Sequence, residues 1–104
     1  MNSKEMMEII MSGNWHNVDN NIVCSFNWAD LDKSISIKYH SGDKEGQSDS
    51  HQFVKLYHTA EELANCTLLR YQSNLFTSEF RLESENGPLH IDSNVFGKLK
   101  LVRK

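Results

Sequence analysis

Gly13-Asn14-Trp15-His16-Asn17 marks the point at which the chain changes period. Before it, Met6, Ile9 and Ile10 recur on one helical face behind Asn2 and Glu5, which form a capping pattern; after it, apolar residues alternate every second position. Gly13 can stop a helix and let backbone pass close by, and Trp15 then sets a large aromatic at the mouth of the first strand. A side chain of that size in that place closes the end of a core. The helix predicted over Asn2 to Ser12 is too short to stand alone in water, so its apolar face must dock on the strands beyond Gly13.

Outward from this stretch, the turn-forming Asp19-Asn20-Asn21 leads into a strand in which Ile22, Cys24, Phe26 and Trp28 alternate with Val23, Ser25 and Asn27. Ala29 to Lys33 is a second turn. Ile35, Ile37 and Tyr39 then alternate with Ser34, Ser36, Lys38 and His40 in a half-buried strand. Ser41 to Ser50 contains no apolar residue and reads as a long exposed loop. His51 to His58 is a strand with apolar residues on both faces, Phe53 and Tyr57 against Val54 and Leu56. Thr59 and Glu62 cap a helical turn around Ala60, Leu63 and Ala64, and strand resumes over Cys66 to Gln72. Phe76, Ser78, Phe80 and Leu82 mark the inward face of the next strand. A tight turn at Glu85-Asn86-Gly87-Pro88 separates it from two last strands, around Leu89 and Ile91 and around Leu99 and Leu101.

About eight short strands, hairpin-length links and no helix long enough for a parallel crossover predict an antiparallel meander. Closure removes the exposed edges of such a meander. The predicted fold is therefore all-β, an eight-stranded antiparallel up-and-down β-barrel with a short N-terminal helix, forming a single domain over residues 1–104.

With 38% apolar and 24% charged residues the chain lies within the folded range, and 104 residues supply one core. Acidic and basic side chains are interspersed and the net charge is −3, which excludes nucleic acid as the expected partner. Lys98, Lys100, Arg103 and Lys104 read as solvated charges on the outer face of a last strand, where they discourage edge pairing. No stretch approaches the roughly 20 apolar residues of a membrane span, and Met6 to Met11 is too short for a signal-peptide core. As written the sequence reads as cytoplasmic; a secreted protein whose signal peptide had been removed would look the same. Cys24 and Cys66 are either two buried thiols or a disulfide, according to compartment.

His16, His40, His51, His58 and His90 are scattered without metal-ligand spacing, and Asp30-Leu31-Asp32 has the chemistry of a turn. Neither cysteine sits in a recognisable elbow or dyad, Glu61-Glu62 belong to a cap, Glu83 and Glu85 flank a turn, and there is no glycine-rich phosphate loop. The expectation is a protein that is not an enzyme and holds no cofactor or metal. Among the aromatics, Phe26, Phe53, Tyr71, Phe76 and Phe80 read as core filling. Trp28, Tyr39 and Tyr57 lie at strand ends, where their amphipathic tips suit a barrel mouth and contact with a ligand.

A short N-terminal helix, Gly13-x-Trp15 opening the first of eight strands and a basic residue near the end of the last resembles the calycin superfamily: lipocalins, avidins and the small bacterial metalloprotease inhibitors. In that superfamily the tryptophan lies across the closed end of the barrel under a basic side chain of the last strand; the resemblance implies those roles for Trp15 and Arg103. Asn17 extends the match to the Gly-x-Trp-x-Asn opening of avidins, whose set of biotin contacts has no counterpart here. The length is short for a lipocalin and closest to the inhibitors, which are secreted and carry a disulfide that Cys24 and Cys66 would have to supply. The resemblance implies a non-enzymatic binding protein taking a small apolar or amphipathic ligand at the open end of the barrel, through Trp28, Tyr39 and Tyr57. The alternative it implies is a protein-binding enzyme inhibitor that engages its partner through the N-terminal segment or a loop.

Overall fold

The structure, a computed structural model, describes residues 3–17, 19–29, 34–52, 55–57, 68–73 and 75–104. It consists of one helix, α1 (Ser3–Met11), and an antiparallel sheet of nine strands. These are β1 (Trp15–Asn17), β2 (Ile22–Ala29), β3 (Ser34–Ser41), β4 (Ser48–Gln52), β5 (Lys55–Tyr57), β6 (Leu68–Gln72), β7 (Thr77–Leu82), β8 (Leu89–Ser93) and β9 (Gly97–Arg103). The spatial order is β4-β3-β2-β1-β9-β8-β7-β6-β5. Each described pair of neighbours is also a pair along the chain, with one exception: the first strand lies against the last.

The helix forms where the period predicts it. Met6 and Ile10 are buried, and Gly13, with φ of +68°, takes the left-handed conformation that lets the chain leave the helix. In β2 the expected inward residues Cys24, Phe26 and Trp28 are buried. Val23 is buried as well, because a register shift between Val23 and Cys24 turns two consecutive side chains away from water. Ile35, Ile37 and Tyr39 face inward from β3, Leu69 and Tyr71 from β6, and Ser78, Phe80 and Leu82 from β7.

Four expectations change. Ser48 to Ser50, expected to lie in a loop, begin β4 and pair with β3 from Lys38↔Ser48 to Ser34↔Gln52. Backbone groups make that ladder, so no apolar side chain announces it. Second, Phe76 precedes β7 and is 44% exposed instead of continuing its inward face. Third, β9 is no edge: it is paired on both sides, with β1 and with β8, so the lysines along it do not guard an open ladder. Fourth, the run expected as one strand over His51 to His58 contributes to two segments, β4 and β5, each with its own partner. The helical turn expected over residues 59–64, the strand start at Cys66 and the turn at 30–33 lie outside the described residues.

The sheet is strongly rolled. In a flat sheet with strands about 4.8 Å apart, Phe26 on β2 and Phe80 on β7 would stand roughly 19 Å apart. Their ring centroids are 6.2 Å apart. Trp28 on β2 and Tyr71 on β6 are five strands apart in the order, yet their centroids are separated by 6.0 Å. One continuous core fills the inside, and Met6, Ile10 and Trp15 belong to it. Among the described residues no ladder joins β4 to β5, so the sheet is not closed into a barrel by hydrogen bonds.

Candidate functional site

At one end of the core Trp15 and Arg103 occupy paired positions on β1 and β9. The indole is fully buried, its Nε1 donates to the Ile10 carbonyl at 2.8 Å, and the Arg103 guanidinium lies 3.9 Å from the ring centroid. The same guanidinium reaches three carbonyls. Nη2 donates to Ile9 at 2.8 Å and to Glu85 at 3.3 Å, and Nη1 donates to Ser12. The last carbonyls of a helix lack intrahelical donors and carry partial negative charge, which is the environment a guanidinium satisfies. Removal from water lowers the Arg103 pKa, and Glu85 opposes that shift. The structure thus brings together the two residues proposed for the closed end and adds α1 and the β7–β8 turn to them.

Trp28 lies beside the end of α1, where its backbone N–H donates to Met11 Sδ at 3.4 Å. Its ring packs against Tyr71 and Phe80, at centroid distances of 6.0 and 5.9 Å. Phe80 also meets Phe26 edge-on and Phe96 at 6.2 Å, so one phenyl ring joins β2, β6 and the β8–β9 turn. Trp28 is 8% exposed, and its indole Nε1 has no hydrogen-bond partner among the described residues. A donor held in an aromatic interior without an acceptor costs about 1 to 3 kcal/mol.

Tyr39 is placed elsewhere. Trp28 pairs with Ile35, four residues before Tyr39 on β3, which puts the two aromatics roughly 13 Å apart along the sheet. The Tyr39 hydroxyl donates to Asp49 Oδ2 at 3.1 Å, and Lys44 Nζ lies 5.3 Å from its ring, so this tyrosine braces the β3–β4 hairpin. Burial and the adjacent Asp49 carboxylate hold its pKa well above the usual tyrosine value. Tyr57 falls in β5, with its side chain outside the described set. The aromatic neighbours of Trp28 are instead Tyr71, Phe80 and, through Phe80, Phe96. The inward alternation of β6 and β7 marks the first two, whereas Phe96 follows β8 at a turn where periodicity gives no signal.

Elsewhere the chemistry is that of single pairs. His40 Nε2 and Ser25 Oγ are 2.8 Å apart on the outer face, with no carboxylate on the imidazole among the described residues. His90 Nε2 meets Glu83 Oε1 at 2.9 Å. No group of three His, Cys, Asp or Glu side chains is placed to hold a metal among the described residues. Cys24 forms no disulfide with a described residue; burial pushes its thiol up to about 12, and Cys66 lies outside the described set. No described helix is long and apolar enough to cross a membrane. Two surface grooves stand out, one of about 650 Å³ against the outer face of β7–β9 and one of about 590 Å³ beside α1 and Arg103. Neither is lined by Trp28 or Tyr39. Comparison of the chain with known protein families, with curated proteins and with solved structures finds no match.

Proposed function

We propose that this chain is a non-enzymatic binding protein of calycin type, whose rolled sheet acts as an eight-stranded barrel and takes a small apolar or amphipathic ligand in its interior. Support for the barrel comes from the order of the ladders. Every step round the ring is hydrogen-bonded except that from β4 to β5, and those two segments are consecutive along the chain. Covalent continuity therefore spans the step that no ladder spans, and counting the two as one strand gives eight. Support for a closed end comes from Arg103 over Trp15, roofed by α1.

The observation that carries the binding reading is the Trp28 indole. Buried polar groups are almost always paired, and Trp28 Nε1 has no partner among the described residues. An acceptor on a ligand lying against Trp28 and Phe80 would satisfy it, while the surrounding rings cover the apolar remainder. In the protein-binding alternative the partner meets the exposed Leu75 and Phe76 at the β6–β7 turn instead.

Fluorescence titration with anilinonaphthalene sulfonate, an amphipathic anion with acceptor oxygens, tests the interior reading. Saturable binding that Trp28→Phe weakens about tenfold, the equivalent of one hydrogen bond to a charged group, is the expected result. Equal affinity in the two proteins removes Trp28 from the site. Native mass spectrometry of the protein from its own host then identifies the co-purifying molecule.

A further inference from the structure

The outer face of the sheet carries two adjacent rows of charge with different balance. In one row Arg70 pairs with Glu79, Glu79 with Asp92 and Asp92 with Lys98 in cross-strand register. Two acids and two bases alternate in pairs there, and Arg70 Nε bonds Glu79 Oε1 at 2.8 Å. In the next row Arg81 pairs with His90 and His90 with Lys100, with no acid among them. Basic residues directly opposite one another destabilise a sheet unless something neutralises them. His90 is tied to Glu83, but Arg81 and Lys100 have no ion pair or hydrogen bond among the described residues.

This unbalanced row forms one wall of the 650 Å³ groove; the other wall is the β1–β2 turn with Asn17. Asn17 is 6% exposed, and its Oδ1 accepts the Asp19 N–H at 3.0 Å. That bond sets the orientation of the side-chain amide. Nδ2 is left as a donor without a partner among the described residues.

We infer that the groove is an oxyanion site for a ligand bearing a phosphate monoester, with Arg81 and Lys100 supplying charge and the Asn17 amide a directed hydrogen bond. Arg81 and Lys100 stand two strand steps apart, roughly 10 Å between backbones, so their long side chains can converge on one group above His90. Their two uncompensated charges match the −1.5 to −2 or so of a phosphate monoester, where a carboxylate needs one. Asp19, Glu79 and Asp92 stand around the groove and oppose a longer polyanion, which limits the ligand to a single phosphate. The site lies on the face of the sheet opposite Trp28, so it stands or falls independently of the interior ligand.

Titration of the isotope-labelled full chain with glycerol phosphate, at constant ionic strength and followed by amide and guanidinium NMR, tests the inference. Saturable shifts at Asn17 Nδ2, Arg81 and His90 are expected, with acetate binding more weakly. Arg81→Gln and Lys100→Gln should each weaken binding about tenfold, the loss of one charge-assisted hydrogen bond. Lys98→Gln, in the balanced row, should leave it unchanged. Shifts that rise linearly and equally with chloride, or a Lys98→Gln loss as large as that of Lys100→Gln, overturn the inference. Co-sedimentation with phosphatidic acid vesicles, abolished by Arg81→Gln, assigns the phosphate to a lipid headgroup; saturation by the soluble ester without co-sedimentation assigns it to a free small molecule.

Discussion

Arg103 ties three parts of the chain together because a guanidinium is flat and forked: its face stacks on Trp15 while its edge donates to Ile9, Ser12 and Glu85. Arg103→Met keeps the apolar stem and removes every one of those bonds. It should lower stability by about 2 to 4 kcal/mol, since the helix carbonyls lose their donor in a partly buried place. Arg103→Lys restores the charge without the fork and should recover only a minor part of the loss; urea unfolding of the three proteins measures both. Cys24 makes a second residue-scale prediction. Its thiol is raised by burial from 9.0 to about 12, so below pH 9 both folded and unfolded chains hold the proton. Above pH 9 the unfolded chain releases it and the folded chain does not. Stability should therefore fall as pH rises from 9 towards 12, by about 1.4 kcal/mol at pH 10 from this group alone. Urea midpoints at pH 8 and pH 10 test this, and Cys24→Ala should show a smaller alkaline loss than the wild type. The native thiol should also resist alkylation at pH 8, which unfolding would relieve.

Among the elements, the β7–β8 turn depends most on one backbone position. Gly87 has φ of +96°, and a Cβ there would stand 3.1 Å from the Leu101 carbonyl oxygen and 3.2 Å from Trp15 Cζ3. Gly87→Ala meets both the left-handed strain and the indole, so it should destabilise by about 1 to 3 kcal/mol, with thermal unfolding as the measure. Strands with an apolar face were legible in the sequence. Ile35, Ile37 and Tyr39 predict β3, and Phe80 and Leu82 predict β7, because each apolar side chain at every second position needs a dry side. Ser48–Gln52 was not legible: Ser-Asp-Ser-His-Gln has no apolar face, and the bonds that make β4 belong to the backbone. Trp15 could be recognised as the stopper of a core from its place after Gly13. Phe96 could not be recognised as a neighbour of Phe80, since it lies in a turn.

For the molecule as a whole, the ladder between β1 and β9 joins the first strand to the last, and Arg103 reaches Ser12 across 91 positions. Local period determines which way each side chain points, so the sequence by itself determined the helix, most of the strands, the inward aromatics and the pairing of roles between Trp15 and Arg103. It could not determine which faces of a rolled sheet meet. That Trp28 joins Tyr71 and Phe80 while Tyr39 braces a hairpin, and that Arg81, His90 and Lys100 line up without an acid, comes from register between strands distant in sequence. Register is decided when the whole sheet curls to bury both halves against each other, a term that is shared across the fold and written in no single stretch of residues.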